Sequence, residues 1–124
     1  MKALRILIAD DHEVVRRGVR VLLEGEAGWQ VCAEAVNGRD AVEAAKREQP
    51  HVAVLDIGMP GLDGYEVCRR IRQMPSQQHV VLVAVTGWGQ AQDKRRAIEA
   101  GFDAHLTKPV DPDAVAQLLA GAAV

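Results

Sequence analysis

Five side chains that could handle a phosphate group or a metal ion stand directly after four short apolar runs. The first run ends at Asp10 and Asp11, the third at Asp56, the fourth at Thr86 and the fifth at Lys108. In an open parallel sheet, ligands bind outside the carboxyl ends of the strands. If these runs are parallel strands, three carboxylates, one hydroxyl and one ammonium group meet at one edge of the sheet. A single Asp after a strand is usually a loop or cap residue, but five polar residues at four strand ends indicate a shared site.

The three carboxylates require a positive partner. Two carboxylates about 4 Å apart repel each other by about 4 kcal/mol at an effective dielectric near 20. A protein therefore gives such a group protons, a cationic side chain or a divalent ion. Oxygen ligands without His or Cys favour a hard ion, Mg²⁺ rather than Zn²⁺. Lys108 adds a point charge for a phosphoryl oxygen and Thr86 adds a hydrogen bond, so the set suits phosphate chemistry.

The elements that would position these residues alternate along the chain. The apolar runs 4–9, 31–36, 52–55, 80–85 and 104–107 predict five strands. Amphipathic or Ala-rich stretches follow each strand, with predicted caps at Asn37, Asp63 and Asp111. In the first of these helices, the apolar positions 14, 15, 19, 22 and 23 are predicted to face inward. Continuous apolar strands indicate burial on both faces, and hence a doubly wound α/β domain with a parallel sheet covered by helices.

Composition limits the class of protein. The chain has 124 residues, 48% of them hydrophobic and 26% charged, with a formal net charge of -2. We expect one domain spanning residues 1–124, in the cytoplasm, because the apolar runs are far shorter than the ~20 residues of a membrane span. The arginines at 69, 70 and 72 and the basic run 94–96 are interpreted as solvated helix faces, so we expect no nucleic-acid binding. Cys32 and Cys68 lack metal-ligand spacing and are interpreted as small apolar residues.

Four short segments resemble the response-regulator receiver domain of two-component signalling. They are IADD at 8–11, LDIGMPGLDG at 55–64, VTG at 85–87 and TKP at 107–109. Each is weak alone, but their order and spacing together are specific to that family. The resemblance covers essentially the whole chain and implies the strand order 2-1-3-4-5, with five helices on the two faces. It also implies that no output domain lies within these 124 residues.

The resemblance implies a role for each residue at the sheet edge. Asp56 would accept a phosphoryl group from a histidine kinase or a histidine phosphotransfer protein. Asp11, Asp56 and the backbone carbonyl of Gly58 would hold Mg²⁺, with Asp10 supporting the ion directly or through water. Lys108 would stabilise charge on the transferred group. The chain would then be a regulatory phosphoacceptor that catalyses only its own phosphorylation and dephosphorylation, with dimerisation on phosphorylation left open.

The resemblance further implies that Thr86 carries the conformational switch. Three residues before Lys108 the family usually has Tyr or Phe, whereas this chain has His105. We expect His105 to be a solvent-facing strand residue, with a weaker or pH-dependent switch as the alternative. Trp88 is hypothesised to shield the phosphoryl site, and the bond between Lys108 and Pro109 is expected to be a cis peptide, as in the family.

Other functions remain open from the sequence. A receiver fold can act as an interaction module without phosphorylation, although the complete acidic set argues against this. A haloacid-dehalogenase-like aspartyl phosphatase would want a second acid two residues after the nucleophile, where this chain has Gly58. A flavodoxin-like electron carrier would want a Ser/Thr-rich phosphate loop and flanking aromatic residues, and aromatic residues are only 3% of this chain.

Overall fold

Strands and helices alternate through the described residues of the computed structural model, which are 4–87, 94–108 and 110–122. The strands are β1 (Leu4–Ala9), β2 (Trp29–Ala35), β3 (Val52–Asp56), β4 (Val81–Thr86) and β5 (Ala104–Thr107). The helices are α1 (Glu13–Glu24), α2 (Gly38–Glu48), α3 (Gly64–Arg72), α4 (Lys94–Ala100) and α5 (Pro112–Ala122), with a short 3₁₀ helix at Pro75–Gln77.

All five strands pair in parallel, in the order β2-β1-β3-β4-β5. The predicted doubly wound α/β fold and its strand order are therefore confirmed. The three central strands are covered on both faces, and every residue of β3 is buried. Since β1, β3 and β4 are direct neighbours, the residues that follow them lie side by side at the carboxyl edge of the sheet.

Alternate residues of the strands pack into two separate hydrophobic layers, one on each face of the sheet. In β1, Ile6 and Ile8 pack in one layer, whereas Leu7 and Ala9 pack in the other. This is the two-residue period of a strand that is buried on both faces. Helices α1 and α5 close the first layer, and α2, α3 and α4 close the second.

The predicted helix caps are present. The side chain of Asn37 accepts a hydrogen bond from the backbone N–H of Asp40 at 2.8 Å, and Asp63 accepts one from Glu66 at 2.9 Å. Asp111 accepts one from the N–H of Asp113 at 3.0 Å. Each carboxylate or amide oxygen satisfies a backbone donor that has no partner within the helix, which fixes where the helix starts.

Two predictions about side-chain orientation were wrong. Val14 is 84% exposed rather than inward-facing, whereas Val19 and Leu23 are buried. The reason is helical geometry, because Val14 lies roughly 100° around α1 from Val15 and so misses the inward stripe. Arg72 is not a solvated arginine, since its guanidinium donates hydrogen bonds to the carbonyls of Val80 at 2.7 Å and Gly101 at 3.0 Å.

Several strand boundaries differ from the predicted ones by one or two residues. Strand β2 starts at Trp29, two residues before the predicted start, and β4 runs from Val81 to Thr86 rather than over 80–85. The predicted fourth helix begins in residues 91–93, which lie outside the described part of the chain. Among the described residues, none of the helices has the combination of length and apolar character needed to cross a lipid bilayer.

Candidate functional site

The three predicted carboxylates converge at the carboxyl edge of the sheet. Strands β1 and β3 pair in register up to Ala9 and Leu55, so the acidic residues that follow them are neighbours. Carboxylate oxygens of Asp10, Asp11 and Asp56 and a ring nitrogen of His12 all lie within 4.8 Å of one another. Asp10 and Asp56 are each only 4% exposed, whereas Asp11 is exposed at the rim.

Lys108 follows the edge strand β5, and its side chain extends to the same group of carboxylates. Its Nζ lies 3.2 Å from an oxygen of Asp10 and 3.5 Å from an oxygen of Asp56. Its backbone N–H donates to the carbonyl of Thr86 at 2.8 Å, which extends the pairing of β4 and β5 by one residue. Because β5 lies two strands from β3, only a long side chain can span this distance.

The electrostatic environment of Asp56 is dominated by its burial. Desolvation raises the pKa of the Asp56 carboxyl, and the hydrogen bond from the Gly58 N–H opposes this. The charge of Asp10 raises the pKa, Lys108 lowers it and Asp11 raises it further. One ammonium group therefore faces three carboxylates, and the site carries an excess of negative charge that a bound cation would offset.

The loop after Asp56 is held tightly against the sheet. The N–H of Ile57 donates to the carbonyl of Val85 at 3.0 Å, and the N–H of Gly64 donates to the carbonyl of Ile57 at 3.0 Å. A Cβ at Gly64 would lie 2.8 Å from the backbone oxygen of Asp56, so glycine is required for this close approach. The loop in turn places the N–H of Gly58 at 3.2 Å from the Asp56 carboxylate.

Thr86 lies at the same edge, but its hydroxyl is engaged with β5. The Oγ1 atom is 2.9 Å from Nε2 of His105 and 3.5 Å from the carbonyl oxygen of Leu106. The expectation that His105 faces solvent was therefore wrong, because its half-buried ring contacts Thr86. The alternation of a strand explains this, because Thr86 and His105 lie on neighbouring strands two register positions apart, and their side chains therefore point to the same face of the sheet.

Two residues of the site were missed by sequence reasoning. His12 stands just before α1, and its Nδ1 lies 3.3 Å from Asp10 and 3.2 Å from Asp11. Arg16, one turn later, donates to the backbone carbonyl of Asp10 at 3.0 Å. The sequence feature that could have indicated a role for His12 and Arg16 is their closeness in sequence to Asp10 and Asp11. Asp63, by contrast, caps α3 as predicted.

The donor set fits a hard divalent cation. Carboxylate oxygens from two neighbouring strands lie close enough together to bind one ion, and oxygen donors of this kind suit Mg²⁺. The role of the Gly58 carbonyl as a metal ligand stays a prediction. Predictions about Trp88 and the peptide bond to Pro109 concern residues outside those the structure describes.

Comparison with known proteins decides the family. A family model described as the response regulator receiver domain matches residues 6–120. The chain belongs to this family. Receiver domains are the regulatory domains of two-component systems, and they interact with histidine kinases. The predicted family is therefore confirmed, and the acidic edge described above lies within the matched residues.

Individual relatives support the assignment along the full domain. The chemotaxis protein CheY of Halobacterium salinarum is 34% identical, and the match covers 91% of each chain. A solved putative response regulator of Chloroflexus aurantiacus aligns with a TM-score of 0.90 at 30% identity, over 98% of both chains. The receiver domain of sensor histidine kinase PA1611 of Pseudomonas aeruginosa, solved with a magnesium ion in its active-site cleft, gives 0.84 at 26% identity over 94% of both.

The curated relatives differ greatly in length. The chain covers 12% of the length of the sensor histidine kinase RcsC of Salmonella typhi and 91% of the length of the Halobacterium salinarum CheY. The chain therefore corresponds to nearly all of some relatives and to one part of others.

Proposed function

We propose that this receiver domain accepts a phosphoryl group on Asp56 from a histidine kinase or a histidine phosphotransfer protein, in a Mg²⁺-dependent reaction. The observation that carries the proposal is the convergence of buried Asp56 with Asp10, Asp11 and Lys108. A buried carboxylate beside two others and an ammonium group is a costly arrangement that a structural role does not need.

The chemistry follows from what each side chain can do. An oxygen of Asp56 attacks the phosphorus atom of the donor's phosphohistidine, the P–O bond forms as the P–N bond breaks, and the imidazole leaves with the bonding electron pair. Lys108, already 3.5 Å from Asp56, offsets negative charge on the transferred group. Asp11, Asp56 and the Gly58 carbonyl would hold Mg²⁺, with Asp10 supporting the ion directly or through water, and the bound ion would supply further charge neutralisation. The protein's contribution is positioning and electrostatics.

An open groove beside Lys108 supports a helical donor. It has a volume of about 550 Å³ and is lined by apolar residues of α1, among them Val15 and Leu22, together with Val110 and Lys108. A helix that carries a phosphohistidine can place its apolar face in such a groove while the phosphoryl group reaches Asp56. Lys108 lines the groove and also lies 3.5 Å from Asp56, which links donor binding to the acceptor.

The outcome for the chain is regulatory. In this proposal it catalyses only its own phosphorylation and dephosphorylation, and Thr86 conveys the new charge to the surface formed by α4 and β5. An aspartyl phosphatase is disfavoured because Gly58 stands where the second acid would be, and its N–H donates to Asp56 instead.

The test is intact mass spectrometry after incubation with acetyl phosphate, with and without Mg²⁺. We expect one phosphoryl adduct that requires Mg²⁺ and is absent in Asp56→Asn. Glu43→Gln, which removes an exposed carboxylate in the middle of α2, is the matched control and should react as the unaltered chain does. A folded protein without an adduct, also when a phosphorylated histidine donor is supplied, would contradict the proposal and favour an interaction module that works without phosphorylation.

A further inference from the structure

The hydroxyl of Thr86 makes both of its described side-chain contacts with β5. Oγ1 lies 2.9 Å from Nε2 of His105 and 3.5 Å from the carbonyl oxygen of Leu106. The first distance is a normal hydrogen bond, and the second is at the long limit. The imidazole therefore makes the stronger of the two contacts that orient this hydroxyl.

The strand order gives this orientation a consequence. Strand β4 lies between β3, which carries Asp56, and β5, which carries His105. Asp56 is paired with Val85 in the register of β3 and β4, one residue before Thr86. The Thr86 hydroxyl, which bonds to β5, is therefore turned away from β3, the strand that carries Asp56.

We propose that His105 is a positioning residue that holds the Thr86 hydroxyl on the β5 side, so that a phosphoryl group on Asp56 must compete with the imidazole for it. The inference rests on the proposed phosphorylation of Asp56. A hydroxyl has one proton to donate, and its direction follows rotation about a single side-chain bond. Turning it towards β3 breaks the bond to His105, which makes the unphosphorylated arrangement more stable than it would be with a purely apolar residue at 105.

The structure also provides room for the ring that is released. A cavity of about 270 Å³ lies beside His105 and is lined by residues of α4 and the segment before β5, including Ile98 and Phe102. Ile98 and His105 both line this cavity and Ile98 is 72% exposed, so a His105 ring that moves into the cavity would alter the surface formed by α4 and β5. In this way, breaking one hydrogen bond connects the acceptor site with an outer face of the domain.

The test measures the affinity of the Mg²⁺-loaded chain for beryllofluoride, a mimic of the phosphoryl group, by fluorine NMR. His105→Phe keeps a flat ring and removes Nε2, whereas His105→Gln places an amide near the position of Nε2. Loss of a net hydrogen bond predicts a rise of about two- to tenfold in affinity for the Phe variant. The Gln variant should stay close to the unaltered chain, as should His79→Phe, an exposed histidine before the opposite end of β4.

A second measurement needs no phosphoryl group and separates this inference from the proposed function. Long-range nitrogen NMR of the His105 ring should show a changed Nε2 resonance in Thr86→Val, and in that background His105→Phe should no longer alter beryllofluoride affinity. An unchanged Nε2 resonance, or equal effects of Phe and Gln at 105, would overturn the inference. Weaker binding by His105→Phe alone would also overturn it, because His105 would then support the phosphorylated state.

Discussion

Replacing Asp56 by Asn removes one negative charge from the acidic edge with little change in side-chain shape. The Asn oxygen can still accept the hydrogen bond that the Gly58 N–H donates at 3.2 Å, and Lys108 keeps its partner Asp10 at 3.2 Å. The substitution therefore isolates the charge of Asp56. We expect Asp56→Asn to be more stable than the unaltered chain at neutral pH when no divalent ion is present.

The magnitude follows from the distances. Carboxylate oxygens of Asp10 and Asp11 lie within 4.8 Å of Asp56, so each repels it by about 3.5 kcal/mol or more at an effective dielectric near 20. Lys108, at 3.5 Å, returns about 5 kcal/mol of attraction on the same scale. Repulsion exceeds attraction by about 2 kcal/mol. Because Asp11 is partly screened by solvent, we expect a gain in unfolding free energy of about 1–2 kcal/mol.

The sign of the pH dependence is fixed by the raised pKa of Asp56. The group titrates higher in the fold than its usual 3.8, so its charged form destabilises the folded state above the folded pKa. That destabilisation is lost as the pH falls through the folded pKa towards the ordinary value. The stability advantage of Asp56→Asn should therefore shrink between neutral pH and about pH 4.

The assay is urea unfolding with a chelator present, followed by circular dichroism at several pH values. At a typical urea dependence of about 1–3 kcal/mol per molar, the expected gain moves the midpoint by roughly 0.5–1 M. Glu43→Gln should shift it little, since Glu43 is exposed on α2. Equal or lower stability of Asp56→Asn at neutral pH, or a gain that grows on acidification, would refute the reasoning.

Three further predictions concern the metal, the loop and a buried thiol. Mg²⁺ at about 100 times its dissociation constant should raise the free energy of unfolding by about 2.7 kcal/mol. Asp11→Asn should lose most of this increase. An undiminished increase in Asp11→Asn would contradict the role of Asp11 as a metal ligand. Gly64→Ala should lose about 1–3 kcal/mol of unfolding free energy, measured in urea, because its Cβ would lie 2.8 Å from backbone atoms. Gly18→Ala is the control and should be neutral or stabilising, since a Cβ there has nothing within 4 Å. A larger loss for Gly18→Ala than for Gly64→Ala would contradict the loop geometry. Burial raises the pKa of the Cys68 thiol to about 11. In the Cys32→Ser variant, alkylation of Cys68 should therefore be slow in the folded chain until the pH is alkaline, and fast in urea. Rapid labelling of the folded chain at neutral pH would refute this prediction.

The fold could be predicted because its local signals agree with one another. The apolar runs, the caps at Asn37, Asp63 and Asp111 and the polar residues after the strands all indicate the same alternation. The convergence of Asp10, Asp56 and Lys108 follows from topology, since parallel strands bring their carboxyl ends to one edge. These features need only sequence order and strand direction.

The sequence was less informative where orientation decides the outcome. His105 lies on an edge strand, where either face is compatible with its type, and only the paired register shows that its ring contacts Thr86. Val14 belongs to the apolar pattern of α1 but lies off its inward stripe. Arg72 resembles its exposed neighbours in sequence, yet its guanidinium donates hydrogen bonds to three backbone carbonyls.

The most direct test of the central claim is to locate the phosphoryl group. The chain is incubated with acetyl phosphate and Mg²⁺, reduced with borohydride, which converts an aspartyl phosphate to homoserine, and digested for peptide mass spectrometry. We predict homoserine at position 56 alone, and none when Mg²⁺ is chelated. Modification at Asp10, at Asp11 or at a histidine, with Asp56 intact, would contradict the assignment of Asp56 as the phosphoacceptor.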